Sequence, residues 1–539
     1  MNVPGTRWSD VTRAPLLLLI VFAACTDYAA DAPCGSDRAC DGGFVCAFGA
    51  CLDPLDQRLT TVDVEIDPGS AAGLPVQNVL QVDLSVTPRV DVALRRGVAV
   101  GGSVQAGDAP LAATVLLRPA LSIPGRALAP QTATDADGDF TVVAVDGARY
   151  AVTVNPADPA RAPYYAHDDQ PIAVEADGGT FALPTIELPD VGPLVQGRVV
   201  AGSGVEASGI DHLAVHVERV DGRRLSSVAV TDASGAFSVA LAEPIDNVVL
   251  VVSPTADNAF YPTVAVPGLT LVDGDNPLGD VELGDVLSPV PFTAAAIAGD
   301  GAPVPGARLV LRGVLGNGLF EVSAIADAQR TFDLVLPPAR YDALVLGGAG
   351  EPSAGLLVAP GLDVPAAPDA PVVFRLPERL GAAGTVQDAS GDPVGNATLT
   401  LVRIGDVNGV AEELLGDTLV AFEAESDERG NFELAVDPGR YRLNTRPPPS
   451  SSAPAFSEIV TFDDARTAHD VSLPQRAIVA GTVLFDGEPQ AGAWVRVFSA
   501  LLDERGAAIL VGEGAAGADG AFEVGVPDLV PDVTNPNPP

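Results

Sequence analysis

A turn of the form Asp-x-x-Gly-x-Phe, or a close variant of it, recurs at five places along this chain of 539 residues. The phenylalanines that end these turns are 97, 95, 100 and 90 residues apart, at Phe140, Phe237, Phe332, Phe432 and Phe522. Near-constant spacing of this size indicates a tandem array of small domains. In each turn an Asp side chain can bond the main chain, a Gly is free to adopt positive φ, and the Phe enters a core.

The repeat is clearest between Gly381 and Pro474. An opening strand at 384–386 is followed by an apolar strand at 397–402, the Asp427 turn, Pro438-Gly439-Arg440-Tyr441 and a closing strand at 471–474. Val, Ala and Leu dominate, and turn residues interrupt them at short intervals. This pattern predicts an all-β chain of sandwiches.

The recurrence predicts an order of units along the chain. They are a signal peptide (1–24), a Cys-rich segment (25–57), a half-repeat (58–95), repeats 1 to 4 (96–190, 191–288, 289–379, 380–476), and a partial repeat 5 with a Pro- and Asn-rich tail (477–539). Repeat 3 is degenerate, because Ala295 stands at the position of the opening Gly and Arg330 at that of the turn Gly.

The two incomplete ends allow a hypothesis of their own. Strand-like runs at 61–66, 80–86 and 90–94 match the later half of the repeat, whereas 476–526 match only its early half. Such halves could complement each other by strand addition. A rod of repeats would hold them apart within one chain, which favours pairing between chains. The alternative, which the sequence favours, is that the last copy is truncated and frays.

The order Gly-x-Val, Pro-x-x-Gly-Ala, Thr-Asp-x-x-Gly-x-Phe, Pro-Gly-x-Tyr resembles the carboxypeptidase regulatory-like domain over roughly 96–526. The resemblance implies an Ig-like, transthyretin-like sandwich of about seven strands, related in shape to starch-binding-like modules. It implies accessory, spacer or binding roles rather than one activity.

The N-terminus is typical of exported proteins. Arg7 and Arg13 precede an apolar run at 14–22, and Ala23-Ala24-Cys25 follows. This resembles a bacterial lipoprotein signal, although Phe22 stands where Leu is commoner; an ordinary signal with a chance cysteine is the alternative. The resemblance implies cleavage before Cys25 and lipidation of that residue, and Thr26 resembles outer-membrane sorting. The membrane is then a partner through the lipid anchor.

Four further cysteines, Cys34, Cys40, Cys46 and Cys51, lie within eighteen residues that contain few apolar side chains. In an oxidising compartment they are expected to form two disulfides. Three connectivities are possible, and the alternating one, Cys34 with Cys46 and Cys40 with Cys51, is preferred. A Cys₄ zinc site is the alternative to the disulfides, but the segment lacks the C-x₂-C pairs that are usual in such sites.

Composition excludes several functions. A net charge of −41 disfavours nucleic acid as a partner. All 30 cationic residues are Arg, which suggests a GC-rich Gram-negative bacterium and excludes a phosphate-loop Lys, a Schiff base and Lys–Asn isopeptide bonds. None of the four His residues begins a His-x-x-Glu pair, and no Gly-x-Ser-x-Gly elbow is present. We therefore expect no enzyme and no cofactor.

The remaining candidate sites are weak. His212 and His216 fall on one face of a predicted strand, about 13 Å apart and too far to share a metal. Asp135 to Asp139 is similar to a calcium loop, but a plain turn is the expectation. Tyr164, Tyr165 and Trp494 are the candidates for stacking on a sugar, with a core position the alternative for Trp494.

These observations predict a non-enzymatic envelope lipoprotein that is anchored in the outer membrane and has a structural or adhesive role. It would face either the periplasm or the cell surface. The alternatives are a carbohydrate-binding lipoprotein, or an accessory of an outer-membrane assembly or transport machine. Envelope polysaccharide or protein is the possible partner, and the sequence does not choose between them.

Overall fold

A computed structural model describes residues 45–47, 50–52 and 60–528, apart from 70–73, 86–88, 127–128, 167–169, 177–178, 190–191, 203–207, 328–329, 349–353, 368–369, 408–419, 449 and 504–505. The chain divides into two compact units, Met1–Gln57 and Arg58–Pro539, and each is described by itself. Within the described ranges no helix is long and apolar enough to cross a membrane.

The first unit contains a hairpin of β1 (Val45–Ala47) and β2 (Ala50–Leu52). The strands are antiparallel, with Cys46 opposite Cys51. The described part of the second unit is built almost entirely of strands, includes a 3₁₀ turn at Ala256–Asn258, and folds into five β-sandwiches. An all-β array of sandwiches is therefore confirmed.

The second unit begins with β3 (Thr61–Asp67), β4 (Gln77–Asp83) and β5 (Val92–Leu94). Sandwich 1 contains β6 (Gly97–Ala106), β7 (Ala109–Pro110), β8 (Ala113–Pro119), β9 (Gln131–Ala133), β10 (Asp139–Val145), β11 (Arg149–Pro156), β12 (Tyr164–Ala166), β13 (Ile172–Ala173), β14 (Thr180–Ala182) and β15 (Ile186–Leu188). Sandwich 2 contains β16 (Leu194–Ala201), β17 (Ser208–Gly209), β18 (Leu213–Arg219), β19 (Ala229–Val230), β20 (Ala236–Ala240), β21 (Ile245–Pro254), β22 (Val264–Leu271) and β23 (Asp275–Glu282).

Sandwich 3 contains β24 (Val290–Ile297), β25 (Arg308–Leu315), β26 (Gly318–Ile325), β27 (Thr331–Leu336), β28 (Ala339–Leu346), β29 (Leu357–Val364) and β30 (Val372–Arg375). Sandwich 4 contains β31 (Leu380–Gln387), β32 (Thr398–Gly405), β33 (Ala421–Glu425), β34 (Asn431–Val436), β35 (Gly439–Arg446), β36 (Phe456–Phe462) and β37 (Val471–Ser472). The last strands are β38 (Arg476–Phe485), β39 (Glu488–Pro489), β40 (Trp494–Leu502), β41 (Ala508–Ala515) and β42 (Ala521–Pro527).

Sandwiches 1 to 4 share one topology. In one sheet, here called the opening sheet, the opening strand runs antiparallel to the strand that carries the landmark Phe and parallel to the closing strand; in sandwich 4 these are β31, β34 and β37. The second sheet of sandwich 4 has the order β33-β32-β35-β36, and the other three sandwiches repeat it with β9-β8-β11-β12, β19-β18-β21-β22 and β26-β25-β28-β29. Alternating residues of both sheets fill each core, as one buried face per sheet requires.

The landmark turns have the geometry that the sequence predicts. The Asp427 carboxylate accepts main-chain N–H bonds from Arg429 and Asn431 at 2.8 Å each, and Gly430 has φ of 79°. Phe432 is buried opposite Gly384. A Cβ at that glycine would lie 1.8 Å from the carbonyl oxygen of His469 and 2.9 Å from the phenyl ring, so both groups occupy the space that glycine leaves.

The register corrects one assignment in sandwich 3. Phe332 lies opposite Ala294, so Ala294, and not Ala295, occupies the position of the opening glycine. The sequence misplaces it because three alanines stand in a row and only strand pairing distinguishes them. Arg330 does replace the turn glycine, and it adopts φ of 69°.

The two incomplete repeats, one before sandwich 1 and one after sandwich 4, form a composite domain, sandwich 5. In its second sheet, of order β4-β3-β40-β41, β3 lies between β4 and β40. In its opening sheet β5 runs parallel to β38, as β37 does to β31 in sandwich 4. Val62, Val64 and Ile66 of β3 are fully buried in a core shared with β40 and β42. The expectation of a frayed last copy is therefore wrong for this structure, and so is the expectation that a rod keeps the two halves of one chain apart.

The sandwiches of the second unit also form a closed cycle of contacts. Neighbours along the chain are bonded to one another, and sandwich 5 is bonded both to sandwich 4, through Arg446 and Glu513, and to sandwich 1, through Glu65 and Arg126. A linear rod would hold its first and last members apart. The predicted rod is therefore corrected, because the segment before sandwich 1 folds into sandwich 5.

Candidate functional site at the domain junctions

The predicted modification sites are only partly described. Cys25, Cys34 and Cys40 lie outside the described residues. Cys46 and Cys51 face each other in the backbone register of the β1–β2 hairpin. Lipidation at Cys25 and the two disulfides stay predictions.

The three aromatic candidates occur in separate packing environments. Tyr164 packs on the core of sandwich 1, whereas Tyr165, its neighbour on β12, packs on the core of sandwich 2. The Tyr165 hydroxyl donates to the carbonyl of Arg224 at 2.7 Å, and the Arg223 guanidinium lies 4.2 Å from its ring centroid. Trp494 belongs to sandwich 5, where its indole N–H donates to Glu513 at 3.2 Å. The structure therefore does not gather these rings into one platform.

The polar candidates are also separate. His212 precedes β18 with φ of 56° and lies 3.1 Å from Asp211, whereas His216 is half-buried on β18 and lies 3.4 Å from Glu218. The Asp135 carboxylate accepts the N–H groups of residues 137 and 139 at 2.9 Å each, as in a turn. Over the described ranges no group of three or more His, Cys, Asp or Glu could hold a metal ion.

A set of buried and half-buried charged groups lies where sandwich 5 meets sandwiches 1 and 4. Glu65 is fully buried on β3. Arg126 of sandwich 1 donates to both of its carboxylate oxygens, at 2.7 and 3.0 Å, and Arg496 of β40 donates to Oε1 at 2.8 Å. Burial raises the pKa of Glu65, but hydrogen bonds and charge from the two arginines outweigh it, so the pKa lies below its ordinary value. Bidentate pairing to Arg fixes orientation as well as charge.

This set of charges continues across the sheet. Arg496 is the register partner of Glu65 on β3 and of Glu513 on β41, and its Nε lies 4.0 Å from Glu513 Oε2. Glu513, whose side chain is 8% exposed, pairs in turn with Arg446 of sandwich 4. The row Arg126–Glu65–Arg496–Glu513–Arg446, here called the closure row, alternates in sign and joins sandwich 5 to both neighbours.

Main-chain bonds support the closure row at the junction of sandwiches 5 and 1. Ala508 N–H donates to the carbonyl of Pro124 at 3.0 Å, and the Arg126 guanidinium lies 5.4 Å from the ring centroid of Phe498. Asp63, on the same face of β3 as Glu65, is 6% exposed. Burial raises the pKa of Asp63, and the N–H of Gln81 opposes this by donating to its carboxylate at 2.8 Å.

The junction of sandwiches 3 and 4 contains another buried carboxylate. Asp437 is 2% exposed and accepts the N–H of Leu356 at 2.9 Å, with Arg379 3.5 Å away. Burial is the largest influence and raises the pKa of Asp437, although the Leu356 bond and the Arg379 charge act against it. Around it an apolar cluster spans both domains, formed by Val310, Leu344, Leu356, Val420 and Phe422.

The two remaining junctions are held by main-chain bonds. Val228 N–H of sandwich 2 donates to the carbonyl of Pro159 in sandwich 1 at 2.9 Å. Thr263 of sandwich 2 and Leu319 of sandwich 3 exchange both main-chain bonds, at 2.7 and 2.9 Å. Such bonds fix the relative positions of neighbouring sheets more closely than a flexible linker does.

No member of the closure row was predicted from the sequence. Glu65 and Arg496 stand in Val-Glu-Ile and Val-Arg-Val, where alternation with apolar residues is typical of a solvent-facing strand position. The sequence therefore contains no local signal that these charges are buried against another domain.

Comparison with known proteins gives no function. No protein-family model matches the chain, and no curated protein matches it. Among solved structures, the Bacillus anthracis TIE protein is 9% identical with a TM-score of 0.15, covering 70% of this chain and 72% of that one. A streptococcal ancillary pilin is 12% identical with a TM-score of 0.20, covering 53% and 99%. The minor pilin of Streptococcus agalactiae is 10% identical with a TM-score of 0.19, covering 36% and 98%.

At these identities and TM-scores the similarities carry no argument about what this chain does. The carboxypeptidase regulatory-like resemblance also stays a prediction.

Proposed function

We propose that this chain is a non-enzymatic scaffold of a bacterial cell envelope, held to the outer membrane by a lipid on Cys25. Its five sandwiches would present fixed surfaces to an envelope polymer or protein. The observation that supports this proposal is the closed cycle of bonded sandwiches, in which each domain is positioned by two neighbours.

Fixed domains favour binding at several points because less entropy is lost when the partner binds. A chain of independent domains loses rotational and translational freedom when several of its surfaces engage one partner. Domains that are already held by buried ion pairs and main-chain bonds have lost that freedom on folding. A closed array can therefore engage an extended partner at several points with less loss of entropy.

A pull-down tests the proposal. Soluble residues 58–539 are offered to the polysaccharide and the protein of the producing cell's envelope in separate pools. Saturable retention by either pool supports a scaffold with a ligand and says which kind. Retention by neither contradicts a presenting role. If polysaccharide is retained, Tyr164, Tyr165 and Trp494 are the first residues to replace.

The lipid anchor has a separate test. Full-length protein with Cys25→Ser should move from the membrane fraction to the soluble fraction of the envelope, because its acyl chains supply about 0.8 kcal/mol for each buried CH₂. Cys46→Ser, which leaves Cys25 in place, is the matched control and should remain in the membrane fraction. Retention of the Cys25→Ser protein in the membrane would contradict lipid anchoring.

A further inference from the structure

We propose that the strands completing sandwich 5 can also be supplied by a second copy of this chain, so that copies join head to tail through the interface that closes the monomer. The strands are β3, β4 and β5, here called the closing segment. This inference is independent of the proposed function.

Sandwich 5 is incomplete without the closing segment. β3 lies inside the second sheet of sandwich 5, so its removal together with β4 exposes the edge of β40, and a free edge is a template for another strand. Val62, Val64 and Ile66 would leave a core to which β40 and β42 contribute Val495, Val497 and Val524. The empty site therefore has one complementary occupant, whichever chain provides it.

Polar contacts make this occupant specific. Arg496 donates to Glu65 at 2.8 Å, and Thr482 Oγ1 donates to the Asp91 carboxylate at 2.7 Å. Val90 N–H donates to the carbonyl of Ala480 at 2.7 Å. None of these bonds depends on the two sides belonging to one chain.

The closing segment is attached to sandwich 1 by a short connection and by an ion pair. Only residues 95 and 96 separate β5 from β6, and Arg126 of sandwich 1 holds Glu65. The separable boundary is therefore between this block and the remainder of sandwich 5. The two sides of that boundary are different surfaces, so the interface is heterologous, and copies joined through it make larger rings or filaments.

In the closed monomer the closing segment completes its own sandwich 5, and in the exchanged assembly it completes sandwich 5 of another copy. The contacts are the same in both states, which differ in whether the closing segment and the remainder of sandwich 5 belong to one chain. Within one chain they meet at a fixed effective concentration, whereas between chains they meet in proportion to protein concentration. We expect closure within one chain in dilute solution and exchange at high concentration, a condition that confinement to a membrane surface also favours.

Paired cysteines distinguish the two states. Residues 58–539 contain none of the five cysteines of the chain and carry their own cores, so Asp91→Cys with Thr482→Cys introduces a single pair across the boundary. The matched control is Thr385→Cys with Asp470→Cys, because Thr385 Oγ1 donates to Asp470 at 2.8 Å in the equivalent place of sandwich 4. Each protein is unfolded with its thiols reduced, refolded at several concentrations and then oxidised.

Non-reducing electrophoresis should show monomers from the control pair at every concentration. The Asp91–Thr482 pair should give monomers when dilute and covalent dimers and larger species when concentrated. While monomers still predominate, the ratio of covalent dimer to monomer should rise in proportion to protein concentration, by about a hundredfold over a hundredfold increase. Monomers alone at every concentration would overturn the proposal. If that disulfide fails to form, light scattering of unmodified residues 58–539, refolded at the same concentrations, tests the proposal instead. A monomer mass at every concentration would then overturn the proposal. Neither result changes the outcome of the pull-down.

Discussion

Glu65 and Arg496 are separated by 431 residues in the sequence, yet they face each other across β3 and β40, with Arg496 Nη1 donating to Glu65 Oε1 at 2.8 Å. Because Glu65 belongs to the closing segment and Arg496 to the remainder of sandwich 5, this pair forms only when a closing segment completes that sandwich. The same carboxylate holds Arg126 of sandwich 1. One buried group therefore links strand completion to domain contact.

Replacing Glu65 by Gln should destabilise this closure. Removing one partner of a buried ion pair leaves the others without compensation and costs about 3–5 kcal/mol, and an amide that still accepts a hydrogen bond should put the loss near the lower end. Trp494 is the only tryptophan within residues 58–539 and lies in sandwich 5, so its fluorescence during denaturant unfolding measures the loss. Glu433→Gln, at an exposed position of β34, is the control and should change little. Equal stability of the two variants would contradict the role of Glu65.

The effect of Glu65→Gln should depend on pH. The pKa of Glu65 is lowered in the folded state, so its contribution is complete above the unfolded value near 4.5 and is lost as pH falls through the folded pKa. The difference in unfolding free energy between wild type and variant should therefore narrow on acidification. A difference that stays constant from neutral pH to pH values well below 4.5 would show that charge is not its source.

The contribution of Asp437 to stability should depend on pH in the opposite direction to that of Glu65. Its pKa is raised by burial, so its favourable contribution is complete below the unfolded value near 3.8 and is lost as pH rises through the folded pKa. Asp437→Asn removes the buried charge and keeps an oxygen that can accept the Leu356 N–H. We expect the variant to be more stable than wild type at neutral pH and similar to it in acid, as measured by denaturant midpoints. Lower stability of the variant at neutral pH would mean that attraction to Arg379 exceeds the cost of burial.

The sequence predicted the repeat and its local chemistry because those depend on neighbours in the chain. The Asp427 turn, the positive φ of Gly430 and the burial of Phe432 all follow from residues within a few positions of one another. The tyrosine contacts are equally local, because Tyr341 and Tyr441 are buried and donate to carbonyls four residues earlier, those of Pro337 and Asp437, at 2.6 and 2.7 Å.

Closure was not predictable in the same way. The matching of β3 to the later half of the repeat was visible, but whether the two halves meet in one chain depends on the angles between five successive sandwiches. Those angles are set by contacts such as Leu356 with Asp437 and Thr263 with Leu319, which no periodic pattern encodes. A rod was expected because the sequence contains no information on the angles between successive sandwiches, and the contacts that set those angles bring the first and last sandwiches together.

Gly481 should be required for closure. A Cβ at this position would lie 1.9 Å from the carbonyl oxygen of Val90, in the residues leading into β5, and 2.7 Å from the ring of Phe522. Overpacking of this kind costs about 1–3 kcal/mol. Gly481→Ala should therefore lower the denaturant midpoint reported by Trp494. Gly381→Ala, on the equivalent opening strand of sandwich 4 with open space around it, is the matched control and should be neutral or slightly stabilising. An equally tolerated Gly481→Ala would mean that Val90 can move without loss.

Arg330 offers a stabilising change. It adopts φ of 69° at the turn where Gly430 has 79°, and a left-handed conformation costs about 1–2 kcal/mol for a residue with a Cβ. Glycine removes this cost but loses about 0.5–1 kcal/mol more in conformational entropy on folding. Arg330→Gly should therefore stabilise sandwich 3 by up to about 1 kcal/mol. Gly430→Ala tests the reverse case, since its Cβ would lie 2.5 Å from the carbonyl of Val386, and it should destabilise sandwich 4. Hydrogen exchange of the amides in β27 and β34 measures both effects locally, and slower exchange in Gly430→Ala would contradict the role of this turn.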